Sequence, residues 1–490
     1  MIASVDVFPT TSVRGAEEAA AGGRAAQCLW NSVPLTERLR VVRRFRQLLA
    51  ERAVQVAEIM LAARGAAVAE TLSAEVLPLA DACRFLERNA AQVLRPLRLG
   101  LAGRPWWLVG TSCEIHREPV GLVLIIAPGN FPLFLAGVQV LQALVGGNAV
   151  LLKPAEGCSG IARWFADLLN EAGLPIGLLQ ILGESPSSAQ AAIEHEVDKV
   201  WLTGSAKTGA HVLEQLAGRL VPSVMELSGN DAAIVCADAD LDLVTKALMF
   251  AFRLRDGQTC IAPRRVFVPS WLRLELQARL VQAVDAGEWT FQQSNHVRSA
   301  ADLIVDALER GAKLVAGQFS SQQELRTPVV LTNVPANAKI LENPPFAPVV
   351  VLIEVESEAA AVKAAGASSY ALGATVFGSE RRGRKIARQL RAGVVMVNDV
   401  IVPTADPRIP FGGRGRSGFG VTRGAAGLLE FTAIKAISVR RGKWRPHLDL
   451  PQPGDADLIA GYLQAVHGKR ALAAGLWRAW RALSMRGERT

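Results

Sequence analysis

Two hydrophobic patterns divide this chain. In Thr36–Ala63, apolar residues recur at every third or fourth position with arginines between them, and Thr71–Val93 repeats this pattern. Spacing of this kind predicts amphipathic helices that cover a core. From Val120 onward, short continuous apolar runs alternate with helical stretches. This alternation predicts an α/β fold built on a doubly wound parallel sheet.

Short apolar runs predict the strands of that sheet, because strands covered on both faces carry few polar residues. The runs are Val120–Ala127, Ala149–Lys153, Leu178–Leu182, Lys199–Thr203 and Ser223–Glu226. The stretches between them predict helices at Pro132–Val145, Ile161–Ala172, Ala189–His195 and Ala206–Ala217. Ligands of such sheets bind beyond the carboxyl ends of the strands, so the polar residues at those ends are candidate contacts.

Polar residues at three of these strand ends suit a nucleotide. Gly204 and Ser205 open a predicted helix, whose free N–H groups and positive dipole end favour a phosphate. Lys153 and Glu156 offer a donor and an acceptor for ribose hydroxyls, and Asn130 follows the first strand. Each residue alone is typical of a solvated loop or a helix cap. Because the sequence lacks the GxGxxG fingerprint, the prediction depends on all three ends lying at one edge of the sheet.

A carboxylate and a thiol follow at two turns. Glu226 and Cys260 are separated by an apolar strand, Ala232–Val235, and by a helix, Leu241–Leu254. This strand and helix allow the two turns to face one cleft. A thiolate can serve there as a nucleophile, and a carboxylate as the base that activates water. A lone cysteine is more often a buried structural thiol, so the interpretation depends on its surroundings.

Composition and charge narrow the class of protein. The 490 residues are 50% hydrophobic and 20% charged, which is typical of a soluble globular protein of two or three domains. The six cysteines and six histidines are scattered, which predicts reduced thiols in the cytoplasm and no metal site. The net charge is +9, but more than half of the excess lies in Arg441–Thr490. Because the rest carries no basic platform interleaved with aromatic residues, we predict no nucleic-acid binding.

The sequence predicts neither a leader nor a membrane span. Met1–Thr11 lacks the basic start and the apolar stretch of a signal peptide. The most apolar region, Val120–Lys153, is interrupted by Pro128–Pro132 and by Gly146–Asn148. No run therefore reaches the ~20 residues that cross a bilayer, and we expect a cytoplasmic protein.

Six short motifs resemble those of the aldehyde dehydrogenase superfamily and occur in the same order. They are Ala127–Pro132, Lys153–Glu156, Leu202–Ser205, Glu226–Gly229, Gly257–Cys260 and Pro410–Gly413. The resemblance covers about Glu37 to Arg440 and includes the interval between Glu226 and Cys260. It implies a Rossmann-like NAD(P)-binding domain without GxGxxG, an α/β catalytic domain and a small β oligomerisation element.

The resemblance implies three catalytic residues. Cys260 resembles the nucleophile, Glu226 the base that activates water, and Asn130 the oxyanion donor that acts with the backbone N–H of Cys260. Thiolate attack on a small-molecule aldehyde gives a thiohemiacetal, whose oxyanion such donors stabilise. Loss of hydride to the cofactor leaves a thioester, which the activated water hydrolyses.

The resemblance also implies contacts to the cofactor, which is NAD with NADP as the alternative. Lys153 and Glu156 resemble contacts to the adenosine ribose, and the helix after Ser205 resembles the pyrophosphate site. Phe411 resembles the aromatic residue that packs near the nicotinamide. The full set of implied contacts is Pro128, Lys153, Glu156, Gly204, Ser205, Gly209, Leu227 and Phe411.

The chain departs from the family pattern near the predicted nicotinamide end. Gly129 stands where the family often has tryptophan, and Ser228 and Asn230 replace a glycine and a lysine. Pro344 stands where the family usually has an acidic residue that holds the nicotinamide ribose, and Ala347 where it usually has glycine. Because proline supplies neither a carboxylate nor an N–H, we expect weaker positioning of the nicotinamide.

We therefore predict NAD(P)-dependent oxidation of an aldehyde to the carboxylic acid through a cysteine thiohemiacetal and a thioester. Few charged residues flank the motifs, which favours an apolar aldehyde. One alternative is a CoA-acylating or reductive member of the family, and Glu226 argues against it because CoA-acylating relatives commonly lack that base. Another is a catalytically impaired homologue that acts as a binding or scaffold protein. Pro344 favours this alternative, and the intact catalytic set opposes it.

The resemblance also predicts the domain organisation. The cofactor-binding domain comprises 1–99 and 118–228, and the catalytic domain comprises 229–430. An oligomerisation element at 100–117 and 431–441 would build a homodimer or homotetramer.

A C-terminal extension, 442–490, contains a predicted amphipathic helix within Asp455–Arg486. Arginines flank an apolar face made of Leu472, Leu476, Trp477, Trp480 and Leu483. Two alternatives stay open for this face: docking on protein, or peripheral contact with a membrane.

Overall fold

The computed structural model describes residues 13–291, 295–319, 325–443 and 445–468, with positions 473, 475, 477, 478 and 481. The α-helices are α1 (Val13–Ser32), α2 (Leu35–Glu51), α3 (Ala53–Arg64), α4 (Val68–Thr71), α5 (Leu77–Leu94), α6 (Phe134–Val145), α7 (Ser159–Glu171), α8 (Pro186–Glu194), α9 (Ala206–Ala217), α10 (Leu241–Arg253), α11 (Ser270–Asp285), α12 (Asn295–Glu309), α13 (Glu358–Gly366), α14 (Glu380–Ala387), α15 (Gly424–Glu430) and α16 (Asp455–His467). The strands are β1 (Leu97–Leu99), β2 (Thr111–Pro119), β3 (Leu122–Ile126), β4 (Ala149–Lys153), β5 (Leu179–Ile181), β6 (Lys199–Gly204), β7 (Ser223–Leu227), β8 (Asp231–Val235), β9 (Pro263–Pro269), β10 (Lys313–Ala316), β11 (Val329–Thr332), β12 (Val349–Val355), β13 (Tyr370–Ala371), β14 (Gly373–Phe377), β15 (Val394–Val397), β16 (Arg414–Gly415), β17 (Gly418–Phe419) and β18 (Thr432–Arg440).

Five strands of the predicted cofactor-binding region, joined by β17 from the predicted catalytic domain, form a six-stranded sheet of order β17-β7-β6-β3-β4-β5. Neighbouring strands are parallel except for β17, where Gly418 lies antiparallel to Glu226 of β7. All five residues of β3 are buried, as expected for a strand covered on both faces. The chain passes from β3 to β4 on one side and places β6 on the other. This reversal puts a ligand-binding crevice beyond the carboxyl ends of β3 and β6.

A second, seven-stranded sheet has the order β10-β11-β12-β9-β8-β14-β15. Its strands are parallel except for β10, which pairs antiparallel with β11. The turn after Glu226 leads into β8, and the turn that carries Cys260 leads into β9. Because β8 and β9 are neighbours, the two turns enter the sheet side by side. The two sheets confirm the predicted α/β fold with parallel strands.

The chain divides into two compact units. One unit comprises Met1–Leu97 and Ile115–Ala436, and the other comprises Arg98–Glu114 and Ile437–Thr490. Both large sheets belong to the first unit. The boundary proposed at residue 228, between cofactor-binding and catalytic domains, therefore lies inside one unit and stays a prediction.

Two helical segments differ from their predictions. Thr36–Ala63 forms two helices, α2 and α3, because Arg52 leaves the helical conformation with φ −109° and ψ 19°. The segment predicted over Thr71–Val93 contains a π-helical turn at Leu72–Val76. Glu75 in this turn is fully buried. Turns of this type are frequent near functional sites.

The predicted C-terminal amphipathic helix is described only in part. Helix α16 ends at His467, and Leu472, Leu476, Trp480 and Leu483 of the predicted apolar face lie outside the described residues. Among the helices that the structure describes, none combines the length and apolar character needed to cross a bilayer.

Candidate active site

The turns that carry the predicted catalytic residues meet beyond the sheets. Glu226 lies at the end of β7, Cys260 lies shortly before β9, and Asn130 follows β3. The N–H of Gly229 donates to the carbonyl of Cys260 at 3.2 Å, which joins the Glu226 turn to the Cys260 turn. The Nδ2 of Asn130 donates to the carbonyl of Gln258 at 2.9 Å. Hydrogen bonds to the Cys260 turn therefore hold the other two residues beside it.

Two glycines permit this close approach. A Cβ on Gly229 would lie 2.8 Å from the carbonyl oxygen of Cys260, closer than side chains pack. Gly257 has a left-handed φ of +70°, and a Cβ there would lie 2.6 Å from the backbone nitrogen of Pro348. A side chain at either position would push the turns apart. The position of Cys260 therefore depends on both glycines.

The three turns border a cavity of about 590 Å³. Its wall includes Cys260, Glu226 and Asn130. Cys260 is partly exposed, whereas Glu226 is 3% exposed. The predicted cofactor contacts that also lie on the wall are Pro128, Glu156, Gly204, Ser205 and Leu227. The structure thus brings the candidate nucleophile, base and oxyanion donor to the same space as most candidate cofactor contacts.

Three predicted cofactor contacts do not line this cavity. Gly209 is buried in α9, where a Cβ would lie 2.8 Å from Leu227, so it lets α9 pack closely behind the wall. Lys153 ends β4 and is partly buried, which lowers the pKa of its amine. Phe411 is 1% exposed, and the guanidinium of Arg423 lies 4.4 Å from its ring centroid. Phe411 therefore packs in the core, and its contact with a nicotinamide stays a prediction.

Burial is the largest influence on the pKa of Glu226. The hydroxyl of Thr203 donates to its Oε2 at 3.4 Å, and the Nε2 of Gln139 donates to the Thr203 hydroxyl at 2.9 Å. Burial raises the pKa of Glu226, and the charge of Arg423 and the Thr203 hydrogen bond oppose this rise. A carboxylate with a raised pKa is a stronger base toward water than an exposed one.

The surroundings of Cys260 favour its protonated thiol over the thiolate. Burial raises its pKa, the carboxylates of Glu226 and Asp231 raise it further, and Arg423 lowers it. Because the thiolate is the nucleophilic form, any attack by Cys260 first requires loss of this proton. Of the two carboxylates, Glu226 is the one on the cavity wall.

The other end of the cavity fits a phosphate-bearing cofactor. Ser205 caps α9, since its hydroxyl accepts from the N–H of Thr208 at 3.1 Å. Ser205, Ala206 and Lys207 lie on the wall, so the positive end of the helix dipole adjoins the cavity. Arg64, at the end of α3, lines the same space and adds positive charge. These donors and charges suit the pyrophosphate of a dinucleotide.

Comparison with known proteins decides the family. The aldehyde dehydrogenase family model matches residues 3–437. The chain belongs to the aldehyde dehydrogenase family. This confirms the prediction of an NAD(P)-dependent aldehyde dehydrogenase. It also confirms the predicted Rossmann-like two-domain fold.

Three relatives illustrate the range of this family. The 4,4'-diapolycopene aldehyde oxidase of a Methylomonas species is 30% identical over 484 residues, which cover 95% of this chain and 89% of that protein. The NADP(+) succinate-semialdehyde dehydrogenase of Deinococcus radiodurans is 33% identical over 435 residues, covering 85% of this chain and 88% of that protein. The solved aldehyde dehydrogenase of Mycobacterium tuberculosis, complexed with NAD+, has a TM-score of 0.81 at 28% identity, covering 89% of this chain and 92% of that one.

This aldehyde dehydrogenase keeps the Pro344 segment on its cavity wall. Asn343, Pro344, Pro345 and Phe346 line the cavity. The buried guanidinium of Arg264 donates to the carbonyls of Ala347, Gly257 and Thr259, which fixes the segment to the Cys260 turn. These hydrogen bonds hold the segment in place, although it lacks the acidic residue that is usual in the family. Weaker nicotinamide positioning stays a prediction.

A buried ion pair that the sequence patterns did not indicate supports the Asn130 turn. The Oε2 of Glu75 accepts from the N–H groups of Leu133 and Phe134, at 2.7 and 3.1 Å, where α6 begins. Its Oε1 contacts the guanidinium of Arg255, which stands between α10 and Cys260. The pair therefore ties the Asn130 turn to the Cys260 turn. One sequence feature could have indicated that Glu75 is buried. It lies four residues before the buried Leu79, on the apolar face of a predicted helix.

Replacing Arg255 with methionine should lower the free energy of unfolding by about 3–5 kcal/mol, because it leaves a buried carboxylate without its counter-charge. Burial raises the pKa of Glu75, and Arg255 opposes that rise. A raised pKa in the folded state means that stability is lost as the pH rises, so the penalty should be larger at neutral pH than near pH 4. Urea unfolding at both pH values measures it.

Arg279→Met is the matched control for this measurement, because Arg279 forms exposed ion pairs with Asp242 and Glu275. Exposed pairs contribute little to stability. A loss in Arg255→Met that does not exceed the loss in Arg279→Met would contradict a supporting role for the buried pair.

Proposed function

We propose that this enzyme oxidises an apolar aldehyde to the carboxylic acid with NAD(P), and that Cys260, Glu226 and Asn130 carry the reaction. The observation that supports the proposal most directly is the shared cavity wall on which the three residues lie. Their turns are joined by the hydrogen bonds from Gly229 to Cys260 and from Asn130 to Gln258. Such joining keeps reactive groups in the geometry that chemistry needs.

In the proposed reaction, Cys260 gives its proton to Glu226, which passes it to solvent, and the resulting thiolate attacks the aldehyde carbonyl. The side-chain amide of Asn130 has a second N–H beyond the one bonded to Gln258, and it can donate to the oxyanion together with the N–H of Cys260. The nicotinamide ring of bound NAD(P)+ supplies the hydride acceptor. Glu226 then takes a proton from water, which attacks the thioester and releases the acid.

Apolar side chains on the cavity wall support an apolar substrate. Pro344, Pro345 and Phe346 face the cavity together with Leu135 and Ala300. Apolar side chains of this kind favour hydrocarbon over charged groups. The relative named for 4,4'-diapolycopene aldehyde aligns with 95% of this chain.

A carboxylate-bearing aldehyde is the second candidate substrate. Arg416 also lies on the wall, above the ring of Tyr370 at 5.0 Å, and offers a guanidinium to an anion. The relative from Deinococcus radiodurans is named for succinate semialdehyde. Because Arg416 is exposed, we favour the apolar substrate.

Formation of NAD(P)H across two matched series of aldehydes tests this function. One series contains alkanals of increasing length, and the other contains the same chains ending in a carboxylate. We expect kcat/KM to rise along the alkanal series and to be lower for each carboxylate partner. Turnover that requires CoA would replace the proposal with the CoA-acylating alternative. No turnover of any aldehyde would favour the impaired homologue.

Glu156 should select NAD over NADP, because its carboxylate would face the 2′-phosphate of NADP at short range. It is exposed on the cavity wall after β4. Glu156→Gln should therefore tighten NADP binding by about tenfold, or ~1.4 kcal/mol, with little change for NAD. Fluorescence titration of both cofactors measures the two dissociation constants. Wild-type preference for NADP would contradict this assignment.

Members of this family commonly form oligomers, and we propose a homodimer or homotetramer that uses β18. This strand ends the three-stranded sheet of order β1-β2-β18. Its residues are exposed along most of its length, including Ile434 at 65%. An exposed edge strand is a template for pairing with another chain.

The C-terminal extension carries its own exposed apolar stripe. Ile459, Leu463 and Val466 lie on one face of α16 and are 59, 52 and 49% exposed. Trp477, also on the predicted face, is 60% exposed. We propose that this stripe docks on a partner subunit, with peripheral contact to a membrane of the cell as the alternative.

Deleting 455–490 should change the oligomer mass measured by light scattering, while the full-length enzyme should not sediment with anionic vesicles. Loss of the stripe removes apolar area that the assembly buries, at about 25 cal/mol per Å². Ile459→Ser, which keeps the extension but breaks the stripe, should reproduce the mass change in part. Vesicle binding that disappears on deletion, with unchanged mass, would instead support the membrane alternative.

A further inference from the structure

Arg64 and Lys207 are two cations from different helices on the wall of one cavity. Arg64 is half-buried and is the last residue of α3. Lys207 is exposed and is the second residue of α9. Neither residue belongs to the candidate catalytic set or to the cofactor contacts predicted from the sequence.

Two glycines make room for the guanidinium of Arg64. A Cβ on Gly129 would lie 3.8 Å from Nη2 of Arg64 and 3.3 Å from the Cβ of Ala155. A Cβ on Gly157, which has a left-handed φ of +71°, would lie 3.7 Å from Nη1 of Arg64. A longer side chain at either position would compete for the space beside the guanidinium. The two glycines therefore let Arg64 reach the cavity wall from α3.

A hydrogen bond orients this guanidinium. The Nη1 of Arg64 donates to the sulfur of Cys158 at 3.2 Å, and Cys158 is 1% exposed. Burial raises the pKa of the Cys158 thiol to about 11, which favours its neutral form. The bond to Cys158 therefore holds the guanidinium in place without cancelling its charge.

The strand order places this guanidinium next to the start of α9. Gly129 follows β3, Gly157 follows β4, and α9 follows β6. In the sheet, β3 lies between β4 and β6. Because the carboxyl ends of parallel strands meet at one edge, Arg64 and the N-terminus of α9 border adjacent parts of the crevice. An anion in that crevice therefore meets a cation from each side.

The position of Lys207 is unfavourable for the helix itself. The first turn of α9 contains no acidic residue, and Lys207 adds a positive charge to the positive end of the helix dipole. Arg64 has the opposite placement, because a cation in the last turn of a helix is favourable. Helix stability therefore accounts for Arg64 but not for Lys207, whereas an anionic ligand accounts for both.

We propose that Arg64 and Lys207 bind the pyrophosphate of NAD(P), one from each side of the crevice. The pyrophosphate is doubly negative and is common to NAD and NADP, so the two cations raise the affinity for both cofactors alike. This inference rests on the proposed function only through its NAD(P) cofactor, and not through the roles of Cys260, Glu226 and Asn130.

Titration with NAD, NADP and ADP-ribose tests the inference without aldehyde turnover, because ADP-ribose carries the pyrophosphate but no nicotinamide. Wild type, Arg64→Met, Lys207→Met and the double variant are compared by isothermal titration calorimetry. We expect Arg64→Met to weaken the binding of each ligand about tenfold and Lys207→Met about threefold, because an exposed charge contributes less than a half-buried one. Arg64→Lys should bind each ligand more tightly than Arg64→Met, because it retains the charge.

The dependence on salt separates the effect of charge from a structural effect. The affinity for NAD should fall as salt is added, and it should fall less steeply in the double variant, because the charges that salt screens have been removed. Arg219→Met is the matched control, because Arg219 is an exposed cation beyond the other end of α9 and does not line the cavity. It should leave all three dissociation constants and the salt dependence unchanged.

Unchanged dissociation constants in the double variant would overturn the inference. A loss of affinity confined to NADP would overturn it as well, because it would assign the two cations to the 2′-phosphate. If Arg64→Met does not fold, Arg64→Gln is compared with Arg64→Lys, and equal affinities in these two variants would contradict the role of Arg64.

Failure of the inference is distinguishable from failure of the proposed function. An enzyme that oxidises aldehydes but loses no affinity in the double variant loses only the role of the two cations. An enzyme without aldehyde turnover, whose double variant binds all three ligands more weakly, keeps that role and loses the proposed reaction.

Discussion

Replacing Cys260 with serine should reduce aldehyde oxidation by at least about a thousandfold, with cofactor binding unchanged. The structure places this thiol on the cavity wall and beside two carboxylates that raise its pKa. A serine hydroxyl in the same place is far harder to ionise, so attack on the carbonyl becomes very slow. NAD(P)H formation measures the loss of activity, and fluorescence titration measures cofactor binding.

Cys113→Ser provides the control, since Cys113 is also partly exposed but lies on β2, where its sulfur is 3.5 Å from the Ser438 hydroxyl. It should retain wild-type turnover. If Cys260→Ala keeps most of the activity, Cys260 is not the nucleophile, and the candidate site would need another one.

Local sequence patterns predict the strands that lead into the site. The run Val120–Ala127 contains β3, and Ala149–Lys153 is β4, because strands buried on both faces leave an uninterrupted apolar record. The turns followed from the resemblance of short motifs whose glycines the backbone requires. Gly257 illustrates this, since its left-handed φ and its contact with Pro348 exclude a side chain.

Contacts between residues that are far apart in sequence produce no such local pattern. Glu75 and Arg255 form a buried pair although they are far apart in sequence, and each alone resembles an exposed charge on a helix or loop. Arg423 likewise looks like a solvated residue before a short helix, yet it is buried over two aromatic rings. The contact of Phe411 with a nicotinamide stays a prediction, and its packing against Arg423 is a contact that no local pattern encodes. Pairings of this kind become visible only when the sheets bring the segments together.

Replacing Glu226 with glutamine should separate the two halves of the reaction. Glutamine is close to glutamate in shape, but it cannot take a proton from water, so the thioester should form and then persist. Mixing enzyme with NAD+ and aldehyde should give a burst of NADH near one equivalent per active site. The steady rate that follows should be lower than that of wild type by at least about a hundredfold. Rapid mixing with absorbance detection resolves the two phases.

The pH dependence of the steady rate adds a second test of Glu226. Burial raises its pKa above the ordinary value of 4.5 for glutamate. Because the base must be ionised to activate water, thioester hydrolysis should increase with pH through this raised pKa. The increase should be missing from Glu226→Gln. It should be present in the control Glu354→Gln, because Glu354 lies on β12 and pairs with Arg273 of α11. If Glu226→Gln turns over without a burst, and its steady rate still rises with pH as in wild type, another group activates the water.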